Sequence, residues 1–262
     1  FAVVVDDADM EITHVIRGED HISNTPKQIL LYKALGKEMP KFAHLPLILA
    51  SDRSKLSKRH GATSVVDYKK DYLPEALINF LGTLSYTFSK EILTKEEMVE
   101  EFELAKVHKS GAVFNINKLN WFNSQYIKKL DPATFKEVIG ISVSDKAVPL
   151  ITKRLEKLSD VNDFSYLWEE PDYPKELLKW KNFSFDDVQN SLEKTKKIIG
   201  ADDLRTSLDE LSKEVGDRGL VYWPLRVALT GKEKSPDPVE VVAVLSKDEV
   251  LKRVDAAIKK LG

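Results

Sequence analysis

The chain has 262 residues, with 40 Lys and Arg against 42 Asp and Glu, five His and no Cys. That length exceeds the ~150 residues of one ordinary domain and predicts two or three of them. A hydrophobic content of 42% beside 31% charged residues supports packed cores and excludes wholesale disorder. The missing cysteines exclude a disulfide framework, a thiolate zinc site and a cysteine nucleophile. No apolar run approaches the ~18 residues of a membrane span, so a soluble, intracellular protein is expected. The net charge of −2 argues against non-specific coating of nucleic acid, but leaves room for a local basic footprint.

Residues 2–5 (Ala-Val-Val-Val) form a β-branched run and read as a strand. The chain opens at Phe1 with neither Met nor a cleavage signal, so it is expected to start inside that strand, as a fragment of a longer protein. Residues 12–16 read as a second strand, ending at Arg17, with turn-formers between the two runs. Ser23 and Asn24 are N-cap candidates ahead of Pro26, and the helix that follows is expected to stop at Gly36. Residues 45–49 read as a third strand that delivers the chain into the polar loop 50–59. Strand, strand, helix and strand, with a functional loop at the last strand's end, is the pattern of an α/β nucleotide-binding sheet.

Further on the period lengthens. Ala76, Leu77, Phe80, Leu81 and Leu84 trace a helical stripe, Thr94 to Glu97 opens another helix, and Asn115 is a candidate cap for a third. From 131 to 262 the segments 147–158, 174–180, 185–199, 202–215, 222–229 and 239–261 all have a period near 3.6, punctuated by prolines. That half is expected to be an all-helical body.

Two stretches could carry chemistry. Ser54-Lys55-Leu56-Ser57-Lys58-Arg59-His60-Gly61 follows a predicted strand and offers a movable cationic clamp for a polyphosphate. As a bare tetrad, Lys-x-Ser-Lys-Arg is more often a solvated basic loop. In Arg17-Gly18-Glu19-Asp20-His21, the arginine could bind a carboxylate bidentately, or the stretch could be a turn with an internal ion pair. His44, alone before the third strand, reads as structural. The scattered histidines make a dedicated metal site an unfavourable reading.

Taken together, residues 3–7, Thr13 to His21, Ser23 to Gln28, Ala43 to Leu49 and Lys55 to Gly61 resemble the glutamyl-tRNA synthetase family of class I aminoacyl-tRNA synthetases. The last run is similar to that family's KMSKS signature. The likeness continues at Tyr72 to Phe80 and Lys118 to Trp121. It resurfaces at Trp223-Pro224-Leu225-Arg226-Val227-Ala228-Leu229-Thr230-Gly231, which resembles the bacterial-type anticodon-binding end. No HIGH-like tetrad occurs in this sequence, so the chain is expected to be a carboxyl-terminal fragment, inactive by itself.

The resemblance implies an α/β remnant, the second half of a class I Rossmann-type domain, over residues 1–61. It implies a mainly helical stem-contact region over 62–130, and an all-α anticodon-binding domain over 131–262 with a break near 200. It implies that Lys55, Leu56, Ser57, Lys58 and Arg59 form the ATP loop, with Lys55 and Lys58 catalytic and Lys58 the main pyrophosphate contact. Asp20 and Ile48 approach the adenosine, and Arg17 binds the glutamate carboxylate. Arg226, Thr230 and the less favoured Arg154 are the tRNA-binding candidates. For Arg226 the residue pattern alone favours core packing with the guanidinium reaching solvent, with Trp223 or Tyr222 otherwise offering a stacking face. The implied substrates are ATP with Mg2+, L-glutamate and tRNA(Glu); a cytoplasmic monomer without protein-bound zinc is expected. The competing readings are a catalytically silent tRNA-binding module and a glutaminyl-type synthetase, whose anticodon end is built from β-barrels.

Overall fold

Valine runs favour strands only where a sheet is there to receive them. The opening of this chain shows the alternative: Ala2–Asp9 is a helix, α1, in a computed structural model that describes residues 1–57, 59 and 64–262. The strand expected over residues 2–5 is therefore corrected. Val4 is 1% exposed and Tyr32 on the following helix is equally buried, while the backbone of Met10 donates to Asp6. Tertiary burial of Val4 here overrides the β-propensity of the valine run.

Strand β1, His14–Gly18, comes next, and a 3-10 turn Glu19–Asn24 leads into α2, Thr25–Leu35. Pro26 sits in the first turn of α2 and Gly36 closes it at φ 65°, as the sequence predicts, whereas neither Ser23 nor Asn24 provides a side-chain cap. The single strand expected over 45–49 is divided into β2, Lys41–Leu45, and β3, Ile48–Leu49. Pro46 has no N–H to give a ladder and ends the first pairing. β2 lies parallel to β1, with Arg17 opposite His44, and β3 lies parallel to β4, Ala112–Val113.

Residues Phe1–Tyr126 form one compact unit and Ile127–Gly262 a second. Within the first, α3 (Val65–Tyr68), α4 (Pro74–Ser85), α5 (Lys95–Glu101) and α6 (Ile116–Ile127) follow the sheet remnant. Phe80, Leu119 and Phe122 are fully buried at the centre of their core. Thr94 and Glu97 form the predicted capping box of α5, and Asn115 Oδ1 accepts from the backbone of Asn117 and Lys118 at the start of α6.

The second unit has no strand among the described residues, as expected of an all-helical body. It comprises α7 (Pro132–Ile139), α8 (Val148–Thr152), α9 (Phe185–Ile198), α10 (Leu204–Val215), α11 (Arg218–Thr230), α12 (Pro238–Val244) and α13 (Lys247–Leu261). Four boundaries differ from the sequence reading, one of them the helix expected over 222–229, which begins four residues earlier at Arg218. The helix expected over 147–158 stops at Thr152 and gives way to a 3-10 stretch, Leu158–Leu167, capped by the Asp160 carboxylate. Residues 174–180 hold only the 3-10 turn Lys175–Leu178. The helix expected over 239–261 is broken at Leu245 and restarted by Ser246, whose hydroxyl accepts from Glu249 N.

Helix α11 lies at the centre of this unit and carries Pro224 in its interior. A proline there leaves the carbonyl four residues back without its helical donor. Ser191, buried on α9, supplies the missing hydrogen: its hydroxyl donates to Leu220 O at 2.8 Å.

Candidate functional site

In parallel sheets, side chains at the carboxyl ends of adjacent strands converge on the open rim where ligands bind. Here the rim brings Arg17 and His44 side by side. Thr25, the first residue of α2, lies against both: Arg17 Nη2 donates to Thr25 Oγ1 at 2.8 Å, and His44 Nε2 lies 3.0 Å from the same oxygen. Arg17 Nη2 also reaches Gln28 Oε1 at 2.7 Å, and the guanidinium sits 5.4 Å from the centre of the Phe42 ring. Its Nε–H is buried with no hydrogen-bond partner among the described residues. A planar cation braced on two sides, with a donor left over, is suited to a carboxylate.

Glu19 Oε1 accepts from Leu47 N at 3.1 Å and so fixes the break between β2 and β3. From Leu49 the chain turns through residues 50–54, with Arg53 at φ 62°, and comes back antiparallel. Leu56 N donates to Ile48 O, and Lys55 bridges to Leu49. This return carries Lys55 to Asp20, with Nζ 2.8 Å from Oδ2. The hydrogen bond from Lys55, more than its charge, holds the exposed Asp20 carboxyl below its ordinary value. Five sequence-predicted residues, Asp20, Ile48, Lys55, Leu56 and Ser57, thus share one corner of the sheet remnant. Arg59 is exposed, while Lys58, with His60 and Gly61, lies outside the described residues. The internal ion pair considered for residues 17–21 does not form within that turn; Asp20 pairs with the loop instead. Thr25, Gln28 and the role of His44 escaped sequence reasoning. The signal was present in the equal strand offsets that put Arg17 and His44 in register.

The second unit holds a separate cluster. Arg226 on α11 does not run out to solvent: its Nη1 donates to Ser235 O at 2.5 Å, Ser235 Oγ at 3.0 Å and Pro236 O at 3.1 Å, tying down the turn before α12. Thr230 is buried, and its hydroxyl is engaged with Arg226 O and Lys232 N. Arg154 bonds Leu150 O and pairs with Glu240 at 2.7 Å. Arg226 lines a cavity of about 370 Å³ together with Trp180, Arg218, Gly219, Tyr222 and Trp223. The Arg218 guanidinium lies 4.6 Å from the Tyr222 ring centre, and Tyr222 donates to Asp209 at 2.8 Å. Aromatic faces interleaved with guanidinium groups can stack and hydrogen-bond unpaired nucleic-acid bases.

Residues 1–121 match the family described as class I tRNA synthetases for E and Q, catalytic domain, and residues 97–258 match the family described as anticodon binding domain. Glutamate–tRNA ligase 2 of Caldanaerobacter subterraneus is 41% identical, over 98% of this chain and 59% of its own length. The glutamate–tRNA ligase of Carboxydothermus hydrogenoformans is 39% identical, over 97% and 58%. Among solved structures, a glutamate tRNA ligase from Elizabethkingia meningosepticum, in complex with its amino acid, superposes with a TM-score of 0.83 at 34% identity. It is matched over all of this chain and 60% of that one. The chain spans about three fifths of the length of the relatives it matches.

Proposed function

The chain belongs to the glutamate–tRNA ligase family of class I aminoacyl-tRNA synthetases, and from that premise we propose that it supplies the ATP loop and the tRNA-binding body for charging tRNA(Glu) with glutamate. In the proposed first step a glutamate carboxylate oxygen attacks the α-phosphorus of Mg·ATP and pyrophosphate leaves. In the second, a ribose hydroxyl of the terminal adenosine attacks the acyl carbon, giving the ester and AMP. Neither step needs a strong protein base, so the protein's work is positioning and charge stabilisation. Arg17 is assigned to the glutamate, held flat by Thr25, Gln28 and Phe42. Lys55 is assigned to the triphosphate, leaving Asp20 as ATP docks, and the undescribed Lys58 to the departing pyrophosphate. Leu56, Ser57 and Arg59 complete the ATP loop, and Ile48 and Asp20 border the adenosine. Within this reading residues 1–61 are the catalytic remnant, 62–130 the stem-contact region and 131–262 the anticodon-binding body, working as a monomer in the cytoplasm.

The observation that carries the proposal is the Arg17–Thr25–His44 constellation at the strand ends, with the Asp20–Lys55 contact three residues further along the chain from Arg17. In the second unit, Arg226 beside Trp223 and Tyr222 supports the tRNA end, with Arg154 and Thr230 as neighbours that shape it. Two ligands titrated separately test the reading. Lys55→Ala is expected to weaken ATP binding and leave tRNA(Glu) binding unchanged. Arg226→Ala is expected to do the reverse, by ~1–3 kcal/mol for a lost base contact or less for a lost phosphate. Equal ATP affinity in the Lys55 variant, or equal tRNA affinity in the Arg226 variant, would remove the corresponding assignment.

A further inference from the structure

Residues 174–183 run Pro-Lys-Glu-Leu-Leu-Lys-Trp-Lys-Asn-Phe and lie between the 3-10 stretch and α9, with a composition unlike a mere connector. Leu178 is fully buried and anchors the segment, and Leu177 O accepts from Trp223 Nε1 at 2.8 Å. Trp180 is held from two sides. Its Nε1 donates to Asp217 Oδ1 at 3.0 Å, and its ring centre lies 5.2 Å from that of Trp223, tilted 39°. Its edge lies so close to the first turn of α11 that a Cβ on Gly219 would fall 2.1 Å from Trp180 Cε2. Only glycine admits the ring there. The indole is therefore fixed, half-buried, at the wall of the Arg226 cavity.

The lysines are arranged around aromatic rings as well. Lys175 and Lys179 stand 5.2 and 5.6 Å from the centre of the Phe185 ring, and Lys181, at φ 50°, stands 5.1 Å from that of Trp180. Among the described residues neither Lys175 nor Lys179 has a carboxylate at ion-pair distance, and Lys181 has only Asp217, at 3.5 Å. Three exposed ammonium groups within seven residues, flanking a fixed indole, present what a single-stranded nucleic acid needs: a stacking face and a line of charge beside it.

We propose that this segment is a second RNA subsite, in which Trp180 stacks one unpaired base and Lys175, Lys179 and Lys181 take the phosphates of the strand leaving the Arg226 cavity. The proposal rests on the tRNA reading of that cavity and adds residues outside α11. Arg218, already stacked on Tyr222, lines the same wall as Trp180.

The test uses the 262-residue chain and an anticodon stem-loop RNA of tRNA(Glu), with binding followed by tryptophan emission over a range of salt. In the triple variant Lys175→Gln, Lys179→Gln, Lys181→Gln the three ammonium charges are lost and polar side chains remain. Its plot of log affinity against log salt is expected to be shallower by ~2, at ~0.7 per phosphate contact of a single strand. Trp180→Phe keeps an aromatic face, so it is expected to retain most of the affinity while losing most of the RNA-induced quench. Trp180→Ala is expected to weaken binding roughly 5- to 150-fold. An unchanged salt slope in the triple variant, or an undiminished quench in Trp180→Phe, overturns the subsite even where Arg226→Ala still weakens binding. That pattern would assign the patch to an acidic protein surface instead. No binding by the unaltered chain overturns both readings.

Discussion

Arg253 on α13 is 5% exposed, yet no substrate-facing role is assigned to it. Its Nη1 donates to Tyr166 O and Leu229 O, each at 2.7 Å, its Nη2 to Glu169 O at 3.2 Å, and its Nε to Glu249 Oε1 at 2.7 Å. The three carbonyls lie at or near the ends of α11 and the 3-10 stretch, where helices leave acceptors unsatisfied. Replacing Arg253 with Met keeps the volume and removes every donor, leaving those carbonyls and the half-buried Glu249 without a cation. Breaking a buried, charge-assisted set of this kind costs ~3–5 kcal/mol, a large share of the 5–15 kcal/mol that holds a typical domain. At a urea dependence of ~2 kcal/mol per molar, the unfolding midpoint should fall by ~1.5–2.5 M. Tryptophan emission is a suitable probe, because Trp168, Trp180 and Trp223 lie in the second unit and only Trp121 in the first. The two units need not unfold together, so the transition is fitted with an amplitude for each. Glu249→Gln, which keeps an acceptor for Nε and removes only the carboxylate charge beside the buried guanidinium, should cost ~1 kcal/mol. An Arg253→Met midpoint within 0.5 M of the unaltered chain, roughly 1 kcal/mol on the same scale, would refute the argument that these carbonyls depend on the guanidinium.

Two further outcomes follow from titrating groups. Because the Lys55 hydrogen bond lowers the Asp20 pKa, the contact is complete above the ordinary aspartate value of 3.8 and is lost as pH falls through the lower folded value. A carboxyl carbon NMR titration should show Asp20 protonating below 3.8, and Lys55→Met should return it toward that value; an unmoved midpoint would mean the pair does not form in solution. In the second unit, burial pushes the Tyr173 phenol from 10.0 up to about 12. The unfolded chain releases this proton from pH 10 while the folded chain keeps it, so the contribution is whole below pH 10 and is lost as pH rises toward 12. A tenfold difference in acidity between the folded and unfolded phenol corresponds to ~1.4 kcal/mol. The unaltered chain should therefore lose roughly 2–3 kcal/mol more stability between about pH 9 and 12 than Tyr173→Phe does. Parallel loss in the two proteins would count against it.

What can be read in the sequence is what depends on neighbours in the chain. The Thr94–Glu97 box, the Asn115 cap and Gly36 at the end of α2 each satisfy backbone groups within four residues, and each is identifiable from residue types alone. The carboxyl-edge loop is legible for the same reason: a polar, lysine-bearing run directly after an apolar one. Residues 2–5 mislead because they pack as a helix against α2, more than fifteen residues further along the chain, which offers a helix surface and no strand edge to pair with. Residues 45–49 mislead because each side of Pro46 pairs with a different partner, and β4 begins more than sixty residues later.

The same distinction separates the residues that touch ligands in the proposed site from those that hold them. Arg17 stands out as a cation near the end of a strand, and Lys55 as one in the loop that follows a strand. The groups that orient them, Thr25, Gln28 and Asp20, are 8, 11 and 35 residues removed from their partners and carry no mark of that role in their own surroundings. Arg226 is conspicuous as a charge in an apolar helix, whereas Ser235 and Pro236, which accept its hydrogen bonds, lie in a turn whose course is set by α11 and α12 together. Arg253 is the extreme case: its carbonyl acceptors lie 24 to 87 residues away, so a charged residue on an amphipathic helix looks solvent-facing until the carbonyls converge on it. Ligand-facing chemistry is therefore readable where it breaks a local pattern. The support for that chemistry is invisible until long-range packing brings its parts together, because nothing in its local surroundings is out of place.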